Sequence, residues 1–153
     1  MNVSGEFTVM APRNVVFGTL CDAQAFVRFV DGIKDLREID STHFAANFET
    51  KVAYMKFKFA VSVEITQMDA PNMIAAKIEG NSIGVVGRFT AKSTTTLLDA
   101  GAETKVVYAV ESTLAGRLGS IGQPVLRAKA KEMERIFANR LRAAFAQPAE
   151  QAR

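Results

Sequence analysis

SIGQPVLRAKAKEMERIFANRLRAAFA, residues 120–146, decides the fold of this chain. Leu126, Ala130, Met133, Phe137, Leu141 and Ala144 recur at steps of three and four, which draws one apolar stripe along a long helix. Arg127, Lys131, Arg135 and Arg142 fall off that stripe, beside Glu132 and Glu134, and are expected to face water. From Val125 onward neither Gly nor Pro interrupts the run, and Ala, Leu, Lys, Arg and Glu are good helix formers. The start is open between Ser120 and Gln123. Ser120 with Gln123 reads as a capping box, while Pro124 is comfortable only in a first turn. Such a helix needs a broad apolar surface to lie against.

A sheet supplies it. Met55, Phe57, Phe59, Val61, Val63 and Ile65 alternate with Lys56, Lys58, Ala60, Ser62, Glu64 and Thr66, the pattern of a long antiparallel strand apolar on one face. Asn2–Met10 is a shorter strand ahead of it. Pro12 then opens a short helix with Val15, Val16, Thr19 and Leu20 on one side. Asp22 caps a second, Ala23 to Phe29, which Gly32 closes. Further strands are expected at Ile33–Ile39, Phe44–Lys51, Met73–Glu79, Val85–Leu98 and Thr104–Leu114, with turn-forming residues between them. The order is strand, two short helices, six strands and a long helix, an α+β domain over 1–146 with a polar tail at 147–153.

Composition sets the boundaries of function. At 153 residues the chain suits one domain with a substantial core. The core is built on Phe and aliphatic residues, since there are 11 Phe and no Trp. The net charge of +3 comes largely from the last helix and lacks the dense basic clusters with interleaved aromatics of a nucleic-acid binder. Cys21 is the sole cysteine, which excludes an intramolecular disulfide and a multi-cysteine metal site. No signal-peptide pattern opens the chain, and no apolar run approaches the roughly 18 residues of a spanning helix. A cytoplasmic protein is expected.

A set of short motifs carries a resemblance. Gly5-Glu6-Phe7, Ala11-Pro12, Asp22 with Gly32, and Leu114-Ala115-Gly116-Arg117-Leu118 with Gly122 are similar to the CoxG family, the G-type subunits of carbon monoxide dehydrogenase. That family lies within the START-like, helix-grip superfamily of lipid-transfer domains, polyketide cyclases and the birch-pollen allergen. The resemblance covers roughly Asn2 to Phe145 and rests on turn, cap and packing positions, none of them a catalytic signature. It implies a curved antiparallel sheet of about seven strands wrapped around the C-terminal helix, with a cavity between them. It also implies a non-catalytic accessory of a molybdenum hydroxylase, with a quinone or lipid as ligand and peripheral contact with the membrane. Two departures stand out. Asp31-Gly32 replaces the family's usual Pro-Gly, and Ala53 stands before Tyr54 where Gly is frequent.

The inventory for catalysis is thin. His43 is the sole histidine and sits at a hairpin edge, and nothing in the spacing couples it to Cys21. Glu64, Glu79 and Glu111 lie among polar neighbours, and no His, Cys, Asp and Glu cluster has metal-ligand spacing. Gly80, Gly84 and Gly87 lie between strands, with no helix following to form a phosphate loop. No cofactor is called for beyond a bound quinone or lipid. The candidate lining of a hydrophobic site is Phe57, Phe59, Val61, Phe89, Tyr108, Ala130, Met133 and Phe137, with Ser93, Thr95 and Ser112 as polar handles. The same stripes also suit a filled core. Two further readings therefore stand beside the carrier: a polyketide-cyclase-type enzyme, and an adaptor with a packed interior. The basic helix face is open in the same way, between a solvated surface and a dock for anionic lipid.

Overall fold

A computed structural model describes residues 1–84 and 87–145. One seven-stranded antiparallel sheet runs in the order β1-β7-β6-β5-β4-β3-β2. Its strands are β1 (Asn2–Val9), β2 (Ile33–Glu38), β3 (His43–Val52), β4 (Met55–Asp69), β5 (Met73–Ser82), β6 (Gly87–Ala100) and β7 (Glu103–Gly116). Helices α1 (Arg13–Cys21) and α2 (Ala23–Phe26) follow β1, and α3 (Gln123–Phe145) ends the described chain. This is the expected helix-grip architecture. The tail at 147–153, the last residue of the expected helix, Ala146, and the expected strand start at Val85 lie outside the described residues.

The period-two reading of β4 holds in register. Phe57, Phe59 and Val61 are buried, whereas Lys56, Lys58 and Ala60 are exposed. The pattern loosens beyond Ile65, where a register shift interrupts the β4–β5 pairing and frees the strand end from a strict two-faced alternation.

Three local expectations are corrected. The helix starts at Gln123, with Gly122 O accepting from Val125 N and Leu126 N, and no capping box forms. Ser120 Oγ instead donates to Arg117 O at 2.7 Å, within the preceding turn. The second helix is only Ala23–Phe26; Asp22 Oδ1 caps it as expected, accepting from Gln24 N and Ala25 N, but residues 27–29 continue as turns. Ala144 is exposed, and Phe145 packs on the core in its place.

The basic face of α3 is partly structural. Arg127 Nη1 donates to Asn2 O and Arg142 Nε to Thr8 O, both backbone carbonyls of edge strand β1. The 15 helical residues between the two arginines span about 22 Å and the six strand residues about 20 Å, so α3 runs alongside β1 in the same direction. Covering an open edge in this way suppresses pairing with other chains. Arg142 also lies 5.6 Å from the Phe7 ring centroid, in cation–π range.

Both departures from the family pattern acquire a structural account. Asp31 Oδ1 accepts from Arg140 Nη2 at 3.2 Å, which ties the loop before β2 to α3. Gly32 beside it has φ +93°, and a side chain there would collide with the Glu49 carbonyl. Ala53 adopts φ 55° in the β3–β4 turn, a conformation that costs an L-residue about 1–2 kcal/mol and Gly almost nothing.

Candidate ligand-binding site

Side chains between sheet and α3 gather into two apolar clusters. One holds Phe7, Val9, Val16, Phe17, Leu20, Phe29, Leu97, Val106, Ala138 and Leu141, closed by the short helices and the C-terminal half of α3. The other holds Phe48, Val52, Phe57, Phe59, Val61, Leu118 and Leu126, at the end where α3 begins. Backbone approach of α3 within 8 Å is concentrated on β1 and β3, towards the two margins of the sheet. The intervening strands stand farther off, so the helix bridges the curve.

The expected lining divides between these clusters. Phe57, Phe59 and Val61 are buried in the second, with Phe89 and Met133 half-buried against it. Phe57 and Phe59 stack at 5.7 Å, and Phe89 meets Phe59 edge-on at 5.0 Å. The Phe89 ring lies over Gly80, filling the place of its missing side chain. Tyr108 and Phe137 instead pack half-buried against the first cluster, Phe137 among the rings of Phe7, Phe26 and Phe29. Ala130 is half-buried on the middle of α3. Ser93 and Thr95 are half-buried on the β6 face that also carries buried Ala91 and Leu97. Ser112 is engaged by the chain start: its Oγ donates to Met1 O at 3.0 Å and its carbonyl accepts from the Met1 ammonium at 2.6 Å. It lines a surface depression of about 260 Å³ with Met1, Leu114, Ile121, Gln123 and Leu126.

Glu134 is the residue that the helical pattern misplaces. The pattern sends it to water, yet it is half-buried and turned to the sheet. A signal exists in the four-residue series Leu126, Ala130, Glu134, Ala138, which shares the inner face with Met133, Phe137 and Leu141. Tyr108 pairs across the ladder with Gly5. A Cβ at Gly5 would stand 2.7 Å from Tyr108 Oη and 2.8 Å from Glu134 Oε1, so the bare glycine makes room for both groups. Tyr108 Oη is buried and makes no hydrogen bond of good geometry. Leaving such a hydroxyl unsatisfied costs about 1–3 kcal/mol. Burial, then the neighbouring Glu134 carboxylate, hold the phenol well above its ordinary pKa, so it keeps its proton and acts as a donor.

The titratable groups weighed for catalysis lie apart. His43 is exposed in the β2–β3 hairpin, where Nδ1 lies 2.9 Å from Asp40 Oδ1 and 3.0 Å from Thr42 Oγ1. Backbone donation from Thr42 and the hydrogen bond to His43 hold the Asp40 carboxyl at about 2, below the usual range. Cys21 packs on the first core cluster, and burial pushes its thiol up, away from the thiolate a nucleophile needs. Among the described residues no group of three or more His, Cys, Asp or Glu could hold a metal, and no helix is long and apolar enough to cross a membrane.

Likeness to solved structures agrees with the geometry. A conserved protein of Geobacillus kaustophilus superposes with TM-score 0.88 at 21% identity, covering 96% of each chain. A START superfamily protein of Mycobacterium smegmatis gives 0.72 at 14%, over 95% of this chain and 97% of the other. The Zhui aromatase/cyclase of Streptomyces sp. R1128 gives 0.70 at 13%, over 97% and 95%. Identities this low speak for the fold alone. No curated protein matches this chain significantly. The family model for CoxG, the carbon monoxide dehydrogenase G-type subunit, matches residues 5–146, nearly the whole chain, and the protein therefore belongs to that family.

Proposed function

We propose that the protein is a non-catalytic carrier that takes a hydrophobic small molecule, quinone- or lipid-like, between the concave sheet and α3. It would serve a carbon monoxide dehydrogenase or a related molybdenum hydroxylase. The observation that carries this reading is the interior itself: two closed apolar clusters with a half-buried middle of Ala130, Met133, Glu134, Ser93, Thr95 and Tyr108. A domain folded only to be stable places large apolar side chains at the midpoint of its one long helix. Here that point carries Ala and Glu. Apolar walls with a few convergent polar groups are the usual anatomy of a small-molecule site. Family membership supports the partner class. Calorimetric titration with a short-chain quinone is expected to give saturable binding, unchanged in His43→Ala and Cys21→Ser. Turnover of the ligand that either substitution abolishes, with folding and binding retained, would move the assignment to the cyclase-type enzyme.

A second observation favours contact with an anionic membrane at one end of the molecule. The β3–β4, β5–β6 and β7–α3 connections emerge together there, because Ser82 pairs with Phe59 and Gly87 with Gly116. They present Tyr54 (97% exposed), Ile83 (59%) and Val125 (41%). Residues 51–58, 80–90 and 112–131 contain no Asp or Glu, while Lys51, Lys56, Arg88 and Arg117 are exposed among them. Apolar tips set among cations suit a negatively charged bilayer, where each basic residue contributes about 1 kcal/mol. Sedimentation with phosphatidylglycerol vesicles but not with phosphatidylcholine vesicles is the expected result, lost in Tyr54→Glu. Equal behaviour with both vesicle types would leave this end to a protein partner.

A further inference from the structure

The Tyr108–Glu134 pair deepens the carrier reading, on which the inference rests. The two side chains come from opposite walls, β7 and α3, and meet over Gly5 at the boundary of the two apolar clusters. Phe7 and Phe137 lie on one side of them and Met133 on the other. Thr95, which pairs with Tyr108 across the ladder, adds a half-buried hydroxyl on the same face of the sheet. Among the described residues no Lys, Arg or His lies within ion-pair distance of Glu134. The spot is therefore a lone donor beside a lone anionic acceptor within apolar walls.

We infer that Tyr108 and Glu134 recognise a neutral hydroxyl, so that the site prefers a phenol, hydroquinone or alcohol over a ligand that can only accept hydrogen bonds. A hydroxyl oxygen accepts from Tyr108 while its proton is donated to Glu134, which satisfies both side chains at once. A quinone carbonyl or an ether oxygen accepts from Tyr108 equally well. It then turns a second lone pair towards the carboxylate and leaves that charge without a donor. Discrimination against a missing hydroxyl is strong wherever the partner group would be stranded in this way. In a carrier for quinone-like molecules, the reduced form is the one held.

The test uses redox-inert probes, para-hexylphenol and its methyl ether, by calorimetry on the full chain. Wild type should bind the phenol on the order of tenfold more tightly than the ether, the effect of one hydrogen bond to a charged group. In Glu134→Gln that ratio should fall to about twofold or less, since a neutral amide is a far weaker acceptor than a carboxylate. In Tyr108→Phe both probes should weaken together with the ratio kept, because both accept from the phenol. A parallel comparison of dodecanol with its methyl ether distinguishes an aliphatic from an aromatic head, and a hydroxyl preference in either pair supports the inference. Equal binding of phenol and ether by wild type overturns it while leaving the carrier standing, and this arm needs no variant to fold. A ratio that survives in Glu134→Gln also overturns it. If none of these probes binds and no quinone binds, the inference and the carrier reading fall together.

Discussion

Phe57→Ala should lower the unfolding free energy by about 3–5 kcal/mol, which makes it among the most damaging single truncations in the chain. Phe57 is 0% exposed and its ring stacks on Phe59, which in turn contacts Phe48 and Phe89. Removing the ring empties the middle of a close-packed aromatic group. Flanking strands β3 and β5 are held by backbone ladders on both sides of β4 and cannot slide in to fill the space. The cost therefore includes the cavity as well as the lost transfer energy. Chemical denaturation with an unchanged m-value measures it, and Tm should fall on the order of 10 °C. A loss under about 1 kcal/mol would mean that Phe57 borders open space and belongs to the ligand's wall instead of the closed core.

That contrast shows which parts of the site are legible in the sequence. The alternation from Met55 to Ile65 identifies the inward face of β4, because a strand's period is independent of what packs against it. The same reasoning places Phe57, Phe59, Phe89, Tyr108, Met133 and Phe137 between sheet and helix, and they lie there. Their division into two clusters is not legible. It depends on where a curved sheet meets a straight helix, and each strand's pattern is blind to curvature. Glu134 is lost for a different reason. A charged residue on a helix is exposed by default, and only Gly5, more than a hundred positions away, makes room for it beside Tyr108. The role of the basic face is likewise hidden, since Arg127 and Arg142 read as solvated until edge strand β1 is placed alongside α3. The short connections mislead through chemistry that competes locally. Ser120 fits a capping box as well as it fits the turn it closes with Arg117.

Ala130→Phe should weaken binding of a short-chain quinone at least tenfold while the protein stays folded, and the sign of its effect on stability reads the space directly. Ala130 lies on the inner face of α3 between Leu126 and Glu134, where the helix bridges the sheet. If the middle of the interior is open to a guest, the new ring enters it and takes the guest's place. Filling such a space commonly raises stability by about 0.5–2 kcal/mol. If the middle is instead packed, the ring has nowhere to go, and overpacking costs about 1–3 kcal/mol. Binding and stability then separate the two readings of the same residues. Unchanged or increased Tm with lost binding supports the carrier. Decreased Tm, with a wild type that binds no quinone, lipid or aromatic, leaves the adaptor with a filled core. Unaltered affinity in a folded Ala130→Phe variant would place the ligand elsewhere. The depression lined by Ser112, Leu114 and Leu126 at the start of α3 is then the next place to test, by Leu114→Trp.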